Sequence, residues 1–301
     1  MITDDRLLVV IAGPTAVGKT SLAIALAQEF GTEIISGDSR QFYREMRIGT
    51  AVPTDKELAL VPHHFIHHLS VTTPYNVSKF ETDACALLDQ LFISHKIVIM
   101  AGGSGLYLNA VCHGIDRLPD PDPEMRRHLK EKLVSDGIEA LQEELARLDP
   151  EHFAQVDLSN PVRVMRAIEI CRSTGMPLSA LRTNLPVARN FRIMKFGLEL
   201  PREILYQRIN ARVDALMQAG LYEEALALYP LRNLNALNTV GYRELFDHFE
   251  GLTTLSFAIE KIKTNSRRYA KRQMTWFKKD DEYNWVSPED VLKIASAIRN
   301  P

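Results

Sequence analysis

The sequence predicts an α/β fold, a parallel-sheet core built around a phosphate-holding loop, with an all-helical domain inserted into it. Strand and helix signals alternate through the first third of the chain. The spacing Gly13-x-x-x-x-Gly18-Lys19-Thr20 follows directly on the apolar run LLVVI (7–11). The alternation then stops at RLPDPDPEM (117–125), three prolines in nine residues, beyond which only helical periodicity continues to about Leu181.

Taken in order, apolar runs and breakers predict a strand over 7–12, a helix over 19–30 stopped by Gly31, a strand over 33–36, a helix over about 77–94, a strand over 96–101 and a helix over about 105–112. Past the prolines, Ile138, Leu141, Leu145 and Leu148 recur at three- and four-residue steps. Strand character returns in FRIMKFGLEL (191–200). Pro201 then opens a helix over 202–227 with Leu205, Ile209, Val213 and Leu216 as its core stripe. The expected organisation is a core of 1–118 with 188–301, interrupted by a helical domain at 119–187.

With 301 residues, 46% hydrophobic and 25% charged, the chain can bury a large core. Its apolar runs are strand-sized, far below a bilayer span, and the acidic start MITDD is no signal peptide, so a cytoplasmic protein without a membrane partner is expected. Cys85, Cys112 and Cys171 stand far apart in apolar contexts, which predicts buried thiols rather than disulfides or a zinc site. The net charge of −2 conceals an asymmetry: residues 261–279 carry eight Lys or Arg and no acid. Such a segment on an otherwise acidic chain points to an anionic partner, or else to a solvated basic helix. Ile262, Ser266, Tyr269, Gln273 and Trp276 read as its buried seam, flanked by Lys261, Lys263, Arg267, Arg268, Lys271 and Arg272.

In a strand–loop–helix context, backbone N–H groups of Gly13, Pro14, Thr15, Ala16, Val17, Gly18, Lys19 and Thr20 form a polyphosphate cradle (Pro14 lacking a donor), with Lys19 as a point charge and Thr20 reaching a bound Mg²⁺. Asp38 follows the second strand at the sheet edge where ligands bind, as a base, a metal ligand or a turn residue. The next strand ends in Gly102-Gly103-Ser104-Gly105 with no acid at its tip, where a P-loop ATPase holds Mg²⁺. Arg208 and Arg212, four apart, share one helix face, either toward a diphosphate or toward solvent. His63, His64, His67 and His68 lack nearby Cys or acidic ligands and read as non-metal.

Read together, GPTAVGKT (13–20), SGDSRQFYREMRIGTA (36–51), GGSGLYLNAV (102–111), RLPDPDPEMR (117–126), RVMRAIEI (163–170), RINARVDALMQAGLYEEA (208–225), VGYREL (240–245) and RRYAKRQMTWFKK (267–279) resemble the bacterial tRNA dimethylallyltransferases over nearly the whole chain. The resemblance implies transfer of a dimethylallyl group from dimethylallyl diphosphate to N6 of the adenosine 3′ to the anticodon. It also implies that the loop holds a prenyl diphosphate with Mg²⁺. Asp38 would accept the N6 proton, Thr15 would orient the reacting groups, and Lys19, Thr20 and Arg212 would stabilise the leaving diphosphate. The tRNA anticodon stem-loop would meet Asp38, Ser39, Arg40, Gln41, Ser104, Arg126, Val162, Arg163, Val164, Met165 and Arg166, with Arg268 and Arg272 on its phosphates, and a monomer is expected. The chain departs from the family pattern at Val17, Val52, His67 and Ser104. The alternatives are a prenyltransferase acting on free adenine nucleotides, a P-loop small-molecule kinase, and an RNA-binding protein with a vestigial loop.

Overall fold

The computed structural model describes residues 6–120, 122–183 and 185–300; the acidic start, Pro121 of the proline-rich boundary, Asn184 and Pro301 lie outside them. Six strands, β1 (Leu7–Ala12), β2 (Ile34–Ser36), β3 (His63–His64), β4 (Ile97–Gly102), β5 (Arg192–Leu198) and β6 (Tyr283–Val286), form one sheet in the order β3-β2-β4-β1-β5-β6. Every pairing is parallel. β1 is apolar throughout and fully buried, as a central parallel strand covered on both faces must be. Leu8, Val10 and Ala12 enter one apolar layer, Leu7, Val9 and Ile11 the other. β4 and β5 flank β1, with Ala12 opposite both Gly102 and Gly197, so the strand order reverses at the carboxyl end of β1. That is the switch point at which open α/β sheets leave a crevice, and the loop 13–18 lies there.

The helices of the first third, Lys19–Phe30, Val77–Ser94 and Gly105–His113, stand within a residue of their expected ends. The helix expected over 202–227 is instead two, Arg202–Gln218 and Leu221–Leu228, because Gly220 takes a left-handed φ of 100° between them. The basic segment lies in a longer helix, Leu255–Phe277, preceded by Tyr242–Phe249 and followed by β6 and Val291–Arg299.

Residues 1–113 with 188–301 form one compact unit and 114–187 a second. The first junction therefore falls at Gly114, ahead of the expected 118/119. Residues 114–118 go with the helical unit because Asp116 Oδ1 accepts from the N–H and hydroxyl of Thr183, at 3.2 and 2.6 Å, and Leu118 packs on the helical core. That core gathers Leu129, Leu141, Leu145, Val164 and Ile168 from helices Pro123–Leu148 and Pro161–Thr174, the former kinked at Gly137. Among the described residues no helix is long and apolar enough to cross a membrane. Cys112 and Cys171 are buried; Cys85 is only half-buried.

Lys195 on β5 is 1% exposed, and its ammonium lies 2.7 Å from His113 Nε2, 2.8 Å from Asp280 Oδ2 and 2.6 Å from Glu282 Oε2. Lys195→Met is expected to destabilise the fold by about 3 kcal/mol, the low end for breaking a buried pair, since Glu282 stays largely solvated. Urea unfolding monitored by circular dichroism measures it, and an unchanged midpoint would show the cluster to be idle.

Candidate active site

The loop after β1 is bent by residues of positive φ. Gly13 and Gly18 take positive φ values of 152° and 111°, and Ala16 joins them at 64°. Gly18 caps the helix Lys19–Phe30 without any side-chain bond, and no acid stands in its first turn. The helix N-terminus therefore presents its partial positive charge to the crevice. A Cβ on Gly13 would meet the carbonyl oxygen of Leu198 at 3.0 Å, which fixes glycine there. Lys19 Nζ donates to the carbonyls of Gly13 and Pro14, at 2.9 and 2.8 Å, and so spans its own loop. Val17, one of the departures from the family pattern, is fully buried and packs inside the loop.

A cleft of about 780 Å³ opens over this loop. Thr15, Lys19, Thr20, Asp38, Arg208 and Arg212 all line it. Burial pulls the Lys19 ammonium down to about 8, with Arg212 acting in the same direction and the Asp38 carboxylate against it. Burial also lowers Arg212, again opposed by Asp38. Asp38 thus sits within electrostatic reach of Lys19 and Arg212; both arginines line the cleft, Arg212 half-buried and Arg208 exposed. Val213, Leu216, Leu221, Val240 and Ile262 add apolar side chains to the lining of the same cleft, as does Val52.

Local bonds explain how these groups are held. Asp38 Oδ1 accepts from Arg40 N–H at 3.1 Å, a side-chain turn that keeps the carboxylate at the strand tip. Ser104 Oγ accepts from Ser39 N–H at 3.0 Å and lies 3.1 Å from Ser39 Oγ, while Ser104 N–H donates to Gly37 O, so both sides of Asp38 are pinned to the tip of β4. Gln41 accepts from Ser36 Oγ at 2.9 Å and reaches the carbonyls of Thr50 and Ala51, the second of which also accepts from Arg212 Nη2 at 3.4 Å. Arg40 is spent on the fold: its guanidinium binds the carbonyls of Asn235, Ala236 and Asn238.

The turn before Ala51 hangs on Glu224, whose carboxylate accepts from Ile48 N–H, Gly49 N–H and the Tyr242 hydroxyl at 2.7, 2.8 and 2.6 Å. Sequence reasoning missed Glu224. The one available signal was an acid in the Leu221–Leu228 helix four residues past Gly220, too common to read.

Of the expected seam of the basic helix, Ile262 and Gln273 are buried, Ser266 and Tyr269 half-buried, and Trp276 is 42% exposed. The seam lines the cleft from Ile262, which also joins the core, as far as Gln273, and Trp276 lies over Gly105 at the start of the Gly105–His113 helix. Arg268, Lys271 and Arg272 are exposed, as nucleic-acid contact requires. Lys263 and Arg267 are not free, being bound to Asp214 and Glu260 and to Asn210 and Thr264.

In the helical unit, Val162 is 64% exposed and Arg163 exposed, but Val164 and Met165 are buried in that unit's core, so neither side chain is available to a ligand. The periodicity that made this helix amphipathic also turns those two positions inward. Arg126 binds buried Glu169 in bidentate fashion at 2.6 and 2.7 Å, and Arg166 donates to the same carboxylate at 3.4 Å and to Pro119 O. Both arginines thereby order this region of the helical unit.

The histidines have other tasks. His64 pairs with Glu33 at 2.5 Å, His68 lies edge-on among Phe42, Phe65 and Tyr75, and His67, at φ 51°, has Nε2 buried with no partner among the described residues. Among the described residues, the one group of three potential metal ligands is His113, Asp280 and Glu282, and the Lys195 ammonium already occupies the space between them.

Residues 41–280 match the family described as IPP transferase. The tRNA dimethylallyltransferase of Christiangramia forsetii is 54% identical over 95% of both chains. The crystal structure of the full-length tRNA isopentenylpyrophosphate transferase of Bacillus halodurans superimposes with a TM-score of 0.73 at 36% identity, covering 98% of this chain and 96% of that one. A eukaryotic dimethylallyltransferase acting on tRNA superimposes with a TM-score of 0.79 at 26% identity, over 98% and 77% of the two chains. With the family model matched over residues 41–280 and a relative 54% identical over 95% of both chains, the chain belongs to the IPP transferase family.

Proposed function

We propose that the protein transfers a dimethylallyl group from dimethylallyl diphosphate to N6 of the adenosine that follows a tRNA anticodon, releasing pyrophosphate in the cytoplasm. The observation that carries this reading is one cleft lined by the phosphate loop, Lys19, Arg208, Arg212 and Asp38 together with the apolar side chains of Val213, Leu216, Leu221, Val240 and Ile262. A kinase needs no such apolar lining. The exposed bases of the Leu255–Phe277 helix supply surface for RNA phosphates.

In this reading the diphosphate lies against the N-terminus of the Lys19–Phe30 helix, with Lys19 and Arg212 balancing the charge that grows on it as the C–O bond breaks. Asp38 takes the proton from the adenine amine as the N–C bond forms. The apolar side chains of the cleft keep water from the allylic carbon, which would otherwise be captured as the alcohol. Thr15 lines the same end and orients the donor. Mg²⁺ would be held by the Thr20 hydroxyl at the phosphate loop, the remaining positions falling to phosphate oxygens and water, as that ion prefers. When bound, it would neutralise diphosphate charge.

The test is incubation with Mg²⁺, dimethylallyl diphosphate and an unmodified tRNA carrying adenosine after the anticodon, followed by mass analysis of the digested nucleosides. A gain of one dimethylallyl unit on that adenosine, absent with Asp38→Ala, is expected. Prenylation of free AMP in preference to the tRNA would overturn the assignment of acceptor, and no transfer at all would overturn that of donor.

The low position of Lys19 has a kinetic consequence. Only its ammonium form serves the diphosphate, and the protonated fraction in the free protein falls by half near pH 8. For the donor, kcat/KM is therefore expected to be flat below pH 7.5 and to fall toward tenfold per pH unit above about 8.5. A flat profile to pH 9.5 would show that Lys19 stays charged in the cleft.

A further inference from the structure

Gln273 stands in the basic helix, yet its amide is turned away from solvent and is only 6% exposed. Its Oε1 accepts from Thr15 N–H at 2.9 Å, and its Nε2 donates to Gly103 O at 2.8 Å. One amide thus bridges the phosphate loop after β1 and the glycine run after β4, two segments far apart in sequence. The fit is tight on the second side: a Cβ on Gly103 would fall 2.3 Å from Gln273 Nε2. The first bond has a price in anion binding, because Thr15 N–H would otherwise be a phosphate donor and Pro14 has none to offer. A loop whose task is to bind diphosphate has one of its donors engaged elsewhere.

The second anchor shows what the bond achieves. Next to Gly103, Ser104 binds Gly37 O through its N–H and Ser39 N–H through its hydroxyl, on either side of Asp38. The chain of contacts runs Thr15, Gln273, Gly103, Ser104, Ser39, Asp38, from the donor loop to the carboxylate. Tyr269 and Trp276 of the same helix meet Ser104 and Gly105, so three positions about one turn apart on one helix face contact three successive residues of the strand tip.

We propose that Gln273 is a positioning residue for the transfer, setting the separation between the diphosphate end of the cleft and Asp38. It touches neither reacting atom. It fixes the two segments that do, and a displacement of about 1 Å in such a constellation costs on the order of 100-fold in rate. This rests on the reading under Proposed function. The expected signature is in kcat, since each substrate keeps its own contacts while their mutual geometry slackens.

Gln273→Met keeps length and volume and removes both bonds. Its kcat for prenyl transfer to an anticodon stem-loop is expected to fall 10- to 100-fold, with KM for each substrate within about threefold. Gly103→Ala pushes the amide aside from the opposite end and is expected to lower kcat similarly. The double variant should be no slower than the slower single one, because both break one link. Gln273→Glu retains the bond to Thr15 but sets a carboxylate against Gly103 O, and is expected to resemble Gln273→Met. An unchanged kcat in Gln273→Met, a loss confined to KM, or multiplicative losses in the double variant would overturn the proposal. A Gln273→Met protein that loses its cooperative thermal transition is replaced in the test by Gln273→Glu, and an unchanged kcat there overturns it equally. Failure of the unaltered protein to transfer would sink the functional reading instead, so the two failures are distinct.

Discussion

Asp38→Asn is expected to lower the turnover of prenyl transfer by about 10²- to 10⁴-fold while tRNA binding changes little, the range a positioned base contributes. The amide keeps an oxygen to accept from Arg40 N–H, so the turn at the strand tip survives while the proton acceptor and its negative charge are removed. The Ser104 bonds that brace both neighbours are untouched. Single-turnover transfer with both substrates saturating reports the chemical step; a loss under fivefold would remove Asp38 from the role of base. Loss of the carboxylate also leaves Lys19 and Arg212 without their counter-charge, so donor affinity is expected to hold or tighten while turnover falls. That opposition separates loss of a base from general damage to the cleft.

Lys19→Met is expected to reduce kcat about 10²- to 10³-fold, the scale measured when one preorganised donor to a developing anion is lost. The carbonyls of Gly13 and Pro14, both buried, lose the donor that Lys19 gave them, so the melting temperature is expected to drop as well. Turnover is therefore measured well below the melting temperature of the variant, where the folded fraction is complete. The same variant should flatten the alkaline limb of the pH profile, since the group responsible for it is gone. Persistence of that limb would assign it to another group, and an unchanged kcat would mean that Arg212 and the helix N-terminus suffice.

Much of the fold was legible in the chain because its signals are local. β1, the helix Lys19–Phe30 and its stop at Gly31 follow from an apolar run, a glycine-rich turn and a left-handed cap within 25 residues. β6 and the helix Val291–Arg299 escaped because YNWV is too short for a period and gains its identity only by pairing with β5. The break at Gly220 was hidden by an apolar stripe that continues in phase on both sides of it.

The site divides in the same way. The sequence alone determined the chemistry-bearing residue types: a loop for phosphate, a carboxylate past the second strand, an arginine pair one turn apart and a cluster of bases, all short-range patterns that a chain carries before it folds. Tertiary structure alone decided which of them are available. It tied Arg40, Lys263 and Arg267 into the fold, turned Val164 and Met165 into a core, and raised Gln273 and Glu224 to bracing roles that no spacing announces. The reason is that a hydrogen bond between residues 258 positions apart depends on where two elements are packed, and the energy that chooses the packing is the burial of apolar surface around them, not the polar pattern itself.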